Sequence, residues 1–172
     1  MTRQSLVLLG DSLIAFGDWQ HHFPGYGIVN LGLAGETVRE LRARLDTLDG
    51  RLTDPACLVV MVGTNNVAME EYGFLADYRA IVATLRHRHP TAVLLVNSLL
   101  PIRLPRLAPD TVPRLNERLR ELAAELGAGY VDGHGAFLAS PAAPLLSDDG
   151  VHPNDRGYRV WAAAMAALLP PA

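Results

Sequence analysis

Five short apolar runs alternate with amphipathic segments along the chain, and this alternation limits the folds open to it more than any other feature. Each run is apolar at consecutive positions, as expected for strands covered on both faces. The runs span residues 5–9, 27–31, 57–62, 92–97 and 129–132. The pattern predicts an α/β fold, a three-layer α/β/α sandwich with right-handed crossovers.

The segments between the runs have the spacing of amphipathic helices. Val38, Leu41, Leu45 and Leu48 recur at helical intervals, with Arg and Glu between them. The predicted helices span residues 37–48, 70–89, 112–126 and 155–169. A chain of 172 residues that is 49% hydrophobic suits one domain, residues 1–172. In such folds the site lies beyond the carboxyl ends of the strands.

The charge and hydrophobic content of the chain exclude some classes of function. The formal net charge of -3 gives no electrostatic reason to expect nucleic acid or an anionic membrane as partner. No apolar stretch reaches the roughly 18 residues of a membrane span, so we expect no integral membrane association. The N-terminus does not resemble a signal peptide, and a cytoplasmic protein is expected. Cys57, the single cysteine, lies in an apolar run and predicts an inert buried thiol.

Chemically versatile residues stand at the predicted strand ends. Ser12 follows the first strand, Gly35 follows the second and Asn65 follows the third. Asp149 and His152 stand together near the C-terminus. A hydroxyl, a glycine turn, a carboxamide and a carboxylate–imidazole pair are the groups needed for acyl transfer.

Each of these groups has a defined chemical task. Ser12 can attack a carbonyl if His152 takes its proton, and Asp149 can hold the imidazole in the required tautomer. The tetrahedral intermediate carries an oxyanion, which needs N–H donors. The candidate donors are the backbone amides of Ser12 and Gly35 and the side chain of Asn65.

Structural roles compete with this interpretation. Ser12 is also a suitable N-cap for a first helix, and Asn65 is a common cap or turn residue. His134 follows the fifth strand and forms a rival pair with Asp132. The spacing of three residues to His152 favours Asp149 over its neighbour Asp148. The combination of four segments, rather than any single residue, favours catalysis.

These motifs resemble those of the GDSL, or SGNH, hydrolase family. The resemblance runs through residues 10–13, Gly35, residues 63–65 and residues 149–152, in the family's order and over nearly the whole chain. It implies a flavodoxin-like sheet of five parallel strands. It also implies Ser12 as nucleophile, Asp149 and His152 as its partners, and Ser12, Gly35 and Asn65 as oxyanion donors.

The resemblance extends to a branch of that family. Residues 35–37 leading into 41–45, and residues 62–66, are similar to the branch that contains platelet-activating-factor acetylhydrolase catalytic subunits. No metal and no organic cofactor is implied. The predicted partner is a small-molecule carboxylic ester, with a short acyl group preferred. A homo-oligomer is left open, because the apolar C-terminal helix suits either core or interface.

The sequence indicates the lining of the substrate pocket less clearly than it indicates the catalytic residues. Five apolar residues beside the catalytic segments are candidates for its lining: Leu33, Met69, Leu100, Ile102 and Val151. The Pro-rich loop 99–106 could wall it, and Arg103 or Arg106 could meet an anionic group. His21 and His22 fit either a solvated loop or a loop at the pocket rim, since no further ligand spacing supports a metal there. A non-catalytic module that binds carbohydrate or an anion is the alternative function on the same fold.

Overall fold

Five parallel strands form one sheet in the order β2–β1–β3–β4–β5. The computed structural model of the chain describes residues 3–140 and 144–171. The strands are β1 (Ser5–Gly10), β2 (Gly27–Gly32), β3 (Cys57–Met61), β4 (Val93–Asn97) and β5 (Gly129–Val131). Every strand end lies within one residue of its predicted position. The α/β fold and the five-stranded parallel sheet are confirmed.

Helices cover both faces of the sheet. They are α1 (Ser12–Ala15), α2 (Trp19–His22), α3 (Val38–Arg44), α4 (Thr64–Ala68), α5 (Leu75–Arg88), α6 (Thr111–Glu125), α7 (Gly133–Leu138) and α8 (Asp155–Ala166). A 3₁₀ helix spans Leu45–Arg51. Among the described residues, no helix combines the length and the apolar character needed to cross a membrane.

The two cores are built from alternate residues of the same strands. Val7 and Leu9 of β1 face α3, α5 and α6, whereas Leu6 and Leu8 face α1, α2, α7 and α8. These four side chains are at most 1% exposed. A strand buried on both faces has to be apolar at every position, which is why the continuous runs predicted the strands well.

The helix ends differ from the predictions where the backbone leaves helical geometry. The helix predicted over 70–89 begins only at Leu75, and Glu70 itself has a φ of 59°, in the left-handed region that an α-helix excludes. The segment predicted over 37–48 divides into α3 and the 3₁₀ helix. Thr37 caps α3 in a reciprocal capping box with Glu40.

Asn116 fixes α6 to the segment that follows β4. Its Oδ1 accepts a hydrogen bond from Leu99 N at 2.7 Å, and its Nδ2 donates to Leu99 O at 2.9 Å. Asn116 is 6% exposed. One side chain therefore satisfies both backbone groups of a buried residue at the start of the 99–106 loop.

Replacing Asn116 by Ala should destabilise the fold strongly. The substitution leaves the N–H and C=O of Leu99 buried and unpaired, which costs about 2–4 kcal/mol in the free energy of unfolding. Urea denaturation followed by circular dichroism measures this difference.

The matched control is Glu117→Ala on the exposed side of the same helix. It should change the free energy of unfolding by less than about 0.5 kcal/mol. A loss below about 1 kcal/mol for Asn116→Ala would show that these two hydrogen bonds do not anchor α6.

Candidate active site

Ser12, His152 and Asp149 form a continuous chain of hydrogen bonds. Ser12 Oγ lies 2.9 Å from His152 Nε2, and His152 Nδ1 lies 2.6 Å from Asp149 Oδ2. Ser12 and His152 are 140 positions apart in sequence. A hydroxyl, an imidazole and a carboxylate in this order form the arrangement in which a serine is activated for attack.

The cap of α1 leaves the Ser12 hydroxyl unused by the helix. Asp11 is the N-cap residue, and its Oδ1 accepts a hydrogen bond from Leu13 N at 3.0 Å. Ser12 is the first residue of α1 and follows the last residue of β1 by two positions. The capping role open to Ser12 from sequence thus belongs to Asp11, and the hydroxyl points to His152.

The loop that carries Asp149 and His152 is held by its own backbone. Asp149 Oδ1 accepts hydrogen bonds from Val151 N at 2.9 Å and from His152 N at 3.0 Å. These bonds, led by that from Val151, together with the His152 side chain, lower the pKa of Asp149 to about 2. Asp149 is therefore a carboxylate across the neutral range, as required of a group that orients an imidazole.

The 99–106 loop supports the same segment from outside. Arg103 N donates a hydrogen bond to Gly150 O at 2.8 Å. Gly150 has a φ of 73°, and a Cβ at this position would lie 2.7 Å from Arg103 O. Residue 150 is therefore restricted to glycine by both its conformation and its neighbour. The loop that was expected to wall a pocket fixes the turn between Asp149 and His152.

The rival histidine lies in a different environment. His134 N donates to Ser98 Oγ at 2.8 Å. Asp132 accepts from Gly135 N at 2.8 Å and forms an ion pair with Arg120 at 3.0 Å. The carboxylate of Asp132 is thus engaged in capping α7 and binding a guanidinium, whereas His152 has both Ser12 and Asp149 as partners.

Gly35 and Asn65 lie in segments that contact each other. Asn65 Nδ2 donates to Glu36 O at 2.9 Å. Gly35 has a φ of 82°, and a Cβ added to it would meet nothing within 4 Å. The positive φ favours glycine, and no neighbouring atom occupies the space that a side chain would fill at this position. Because a carboxamide carries two N–H groups, Asn65 retains one for another acceptor.

An ion pair between a buried carboxylate and a partly exposed guanidinium fixes the segment that follows Gly35. Glu36 is bound by the Arg44 guanidinium, whose Nη2 also donates to Leu31 O at 2.6 Å. The side chain of Glu36 is fully buried. Burial raises the pKa of the Glu36 carboxyl, and the hydrogen bond from Arg44 opposes that rise. This pair has no signal in the sequence, because a spacing of eight residues does not by itself indicate a contact.

Asp11 is a second charged group that sequence reasoning missed. It is 0% exposed, and its Oδ2 is buried without a hydrogen-bond partner among the described residues, as is Thr64 Oγ1. Burial raises the pKa of Asp11 to about 6, although the bond from Leu13 N opposes the rise. Asp11 caps a short helix, and nothing in the sequence around it indicates that its carboxyl is buried.

The five residues considered for the substrate pocket occupy three environments. Leu33 and Met69 are 53% and 60% exposed. Ile102 and Val151 are half-buried and pack against the cores. Leu100 is 0% exposed in the core beside α8. The prediction that Leu100 lines a pocket therefore needs correction, because its side chain supports the sheet and is closed to ligands.

Phe16 lies beside the site, a position that the sequence did not predict. It is 62% exposed, and the centroid of its ring lies 5.6 Å from that of His152. An aromatic residue after an apolar run is usually core, so its exposure is informative. His21 and His22 lie nearby in α2, a short helix where a loop was expected.

No cluster of three or more His, Cys, Asp or Glu side chains suitable for a metal ion occurs within residues 3–140 and 144–171. The side chains hydrogen-bonded in series from Ser12 supply a hydroxyl, an imidazole and a carboxylate, which are groups that acyl transfer needs.

Comparison with known proteins agrees with the fold and the motifs. Residues 8–160 match the GDSL-like Lipase/Acylhydrolase family. Platelet-activating factor acetylhydrolase IB subunit alpha1 from Bos taurus is 28% identical over 95% of this chain and 74% of its own length.

Solved structures show the same architecture. An acetylxylan esterase from Geobacillus stearothermophilus superposes with a TM-score of 0.74 and 23% identity, covering 96% of this chain and 94% of that one. A GDSL-like lipase from Bacteroides thetaiotaomicron gives a TM-score of 0.77 and 22% identity, covering 95% and 86%.

A family match that spans residues 8–160 is long enough to assign this chain to a class of protein. The fold and the motifs define an ester-hydrolysing enzyme on a parallel α/β sheet. The chain belongs to the GDSL-like Lipase/Acylhydrolase family.

Substituting Asp11 by Asn should change how stability depends on pH. The folded chain holds the Asp11 proton up to about pH 6, whereas the unfolded chain releases it near the ordinary pKa of 3.8. The folded state therefore binds more protons in this window, and the free energy of unfolding falls as pH rises through it. The carboxamide of the variant does not titrate, so the stability of Asp11→Asn relative to the wild type should rise from pH 4 to pH 6.

Urea denaturation at a series of pH values from about 4 to 7 measures this difference. Asp148→Asn removes an exposed carboxylate near the site and controls for the change in net charge. A difference between Asp11→Asn and wild type that stays constant over the series would refute the assigned titration.

Proposed function

We propose that this chain is a serine esterase that cleaves carboxylic esters with short acyl groups through an acyl-Ser12 intermediate. The observation that carries the proposal is the unbroken hydrogen-bonded chain from Ser12 through His152 to Asp149. Each bond joins the pair of atoms that the mechanism requires, with Nε2 toward the hydroxyl and Nδ1 toward the carboxylate.

The first half-reaction acylates Ser12. As Oγ attacks the ester carbonyl carbon, its proton passes to His152 Nε2, and the carbonyl oxygen becomes the oxyanion. Collapse of this intermediate breaks the bond between the carbonyl carbon and the alcohol oxygen. The alcohol leaves with the proton held on Nε2, and Asp149 stabilises the transient imidazolium.

The second half-reaction uses water in place of the alcohol. His152 takes a proton from the water, the resulting hydroxide attacks the acyl carbon, and Ser12 leaves with the proton from Nε2. The sum is ester plus water giving alcohol plus carboxylic acid. The two halves need the same base and the same orienting carboxylate.

The oxyanion would be held by the amides of Ser12 and Gly35 and by Asn65 Nδ2. The support for this assignment is local geometry. Gly35 has a positive φ, and Asn65 donates a hydrogen bond to the carbonyl of the next residue, Glu36, so the two proposed donor segments are held together. Donors fixed before the reaction stabilise developing charge without reorganisation. The buried Glu36–Arg44 pair would serve this preorganisation.

The preference for short acyl groups rests on two observations. The apolar side chains beside the oxyanion segments, Leu33 and Met69, are more than half exposed, so they offer a shallow surface for an acyl chain. Two of the similar proteins carry names that refer to acetyl esters, an acetylhydrolase and an acetylxylan esterase.

Substitution of the two histidines tests the proposal. With p-nitrophenyl acetate as substrate, His152→Ala should lower kcat by about 10⁴-fold, because Ser12 loses its base. His134→Ala, the matched histidine control, should lower kcat by less than about tenfold, since the Ser12 hydroxyl is hydrogen-bonded to His152.

The opposite ranking of the two variants would overturn the assignment of the base. If neither the wild type nor any variant hydrolyses p-nitrophenyl acetate or longer p-nitrophenyl esters, the esterase proposal fails, and the non-catalytic binding module becomes the better description. Circular dichroism of each variant confirms that the loss is chemical and not a failure to fold.

A further inference from the structure

A polar cavity of about 350 Å³ lies beside the site, between α1, α2 and the start of α8. Phe16 belongs to its wall and also packs against the His152 ring. Asp155 of the wall follows His152 by three positions. Tyr158 of the wall donates its hydroxyl hydrogen to Leu13 O at 2.9 Å, so it is fixed to the helix that carries Ser12.

The chemistry of ester cleavage fixes which half of a substrate meets this cavity. The leaving alcohol takes its proton from His152 Nε2, so the alcohol oxygen has to lie on the histidine side of Ser12. The acyl carbonyl oxygen has to lie toward the proposed donors of Gly35 and Asn65. Phe16 is an exposed side chain next to His152 and belongs to the cavity wall, so an alcohol half that lies on this side extends over Phe16 into the cavity.

The cavity is lined by polar groups that remain available to a ligand. Asp155 and Arg159 lie one turn apart on α8, and within the described ranges neither side chain forms an ion pair or a hydrogen bond. Asp18 uses one carboxylate oxygen to accept from His21 N at 3.2 Å, which leaves the other. Carboxylates accept hydrogen bonds, and a guanidinium donates them.

His22 adds a group that can donate and accept at once. Burial and the neighbouring His21 lower the pKa of His22 below its ordinary value of 6.5, although Asp18 opposes this shift. Its imidazole is therefore mostly uncharged at neutral pH, with one N–H donor and one acceptor nitrogen. A hydroxyl group is likewise both a donor and an acceptor, so this lining matches a ligand that carries several hydroxyls.

The charges disfavour an anionic ligand. Asp18 and Asp155 supply two carboxylates against the single guanidinium of Arg159. A phosphate or carboxylate group would meet net repulsion from this wall, whereas a neutral polyol would not. The rings of Phe16 and Tyr158 supply apolar surface for the C–H faces of such a molecule.

We propose that this cavity is the alcohol-binding subsite of the enzyme and that it takes a neutral polyhydroxylated alcohol, the sugar half of an acylated sugar. The inference rests on the proposed esterase function and goes beyond it by naming the class of leaving group and the residues that select it. Asp155 and Arg159 are the residues that select the sugar, by hydrogen bonds to its hydroxyls.

Two acetate esters that differ only in the alcohol test the subsite. A glucose monoacetate presents several hydroxyls to the cavity, and ethyl acetate presents none. Wild-type enzyme should have a kcat/KM for glucose monoacetate at least about tenfold above that for ethyl acetate, the difference expected from one or two charge-assisted hydrogen bonds. The rate of each reaction is measured from the amount of acetate released.

The variants Asp155→Asn and Arg159→Gln should each lower kcat/KM for glucose monoacetate by about tenfold and change that for ethyl acetate by less than about twofold. Arg156→Gln is the matched control, because Arg156 lies on the same helix, is exposed and does not line the cavity. It should leave both reactions unchanged.

The outcomes separate the subsite from the esterase function. If ethyl acetate and glucose monoacetate are cleaved equally well by wild type, or if the variants slow both esters alike, the sugar subsite is refuted and the esterase function stands. If the wild type cleaves neither of these esters nor p-nitrophenyl acetate, the esterase function itself fails, and the subsite fails with it.

Discussion

The hydrogen bond between Ser12 Oγ and His152 Nε2 is the contact on which the arrangement of the site depends. It joins residues 140 positions apart, so no local structure can produce it. The sheet brings the end of β1 to the edge where the strand order reverses, between β1 and β3, which is where open α/β sheets form a crevice. The loop before α8 then places His152 over the end of β1.

Three fixed supports surround that contact. Asp11 caps the start of α1, so the Ser12 hydroxyl is not used as the helix cap. Arg103 N holds Gly150 O, and thereby the turn that presents Asp149 and His152. The buried Glu36–Arg44 pair and Asn65 fix the segment of Gly35. The two buried acidic residues of the described part of the chain, Asp11 and Glu36, therefore follow the carboxyl ends of β1 and β2, and buried charges are costly unless they are well paired.

The sequence predicted the strands well and the polar supports poorly, for physical reasons. Burial on both faces makes each strand a continuous apolar run, which a single sequence displays. Helix ends depend on single backbone conformations such as the left-handed Glu70, which residue type does not indicate. Whether His152 or His134 contacts Ser12 depends on which of their two loops folds over the end of β1. The exposure of Phe16 depends on the absence of another segment packed over its ring. Neither property is encoded in local pattern.

The central claim is that Ser12 is the nucleophile, and covalent labelling tests it most directly. The folded protein is treated with a fluorophosphonate, and the modified residue is located by peptide mass spectrometry. The account predicts one label per chain on Ser12, parallel loss of esterase activity, and no labelling of Ser12→Ala. A label on another residue, or full activity in the Ser12→Ala variant, would contradict it.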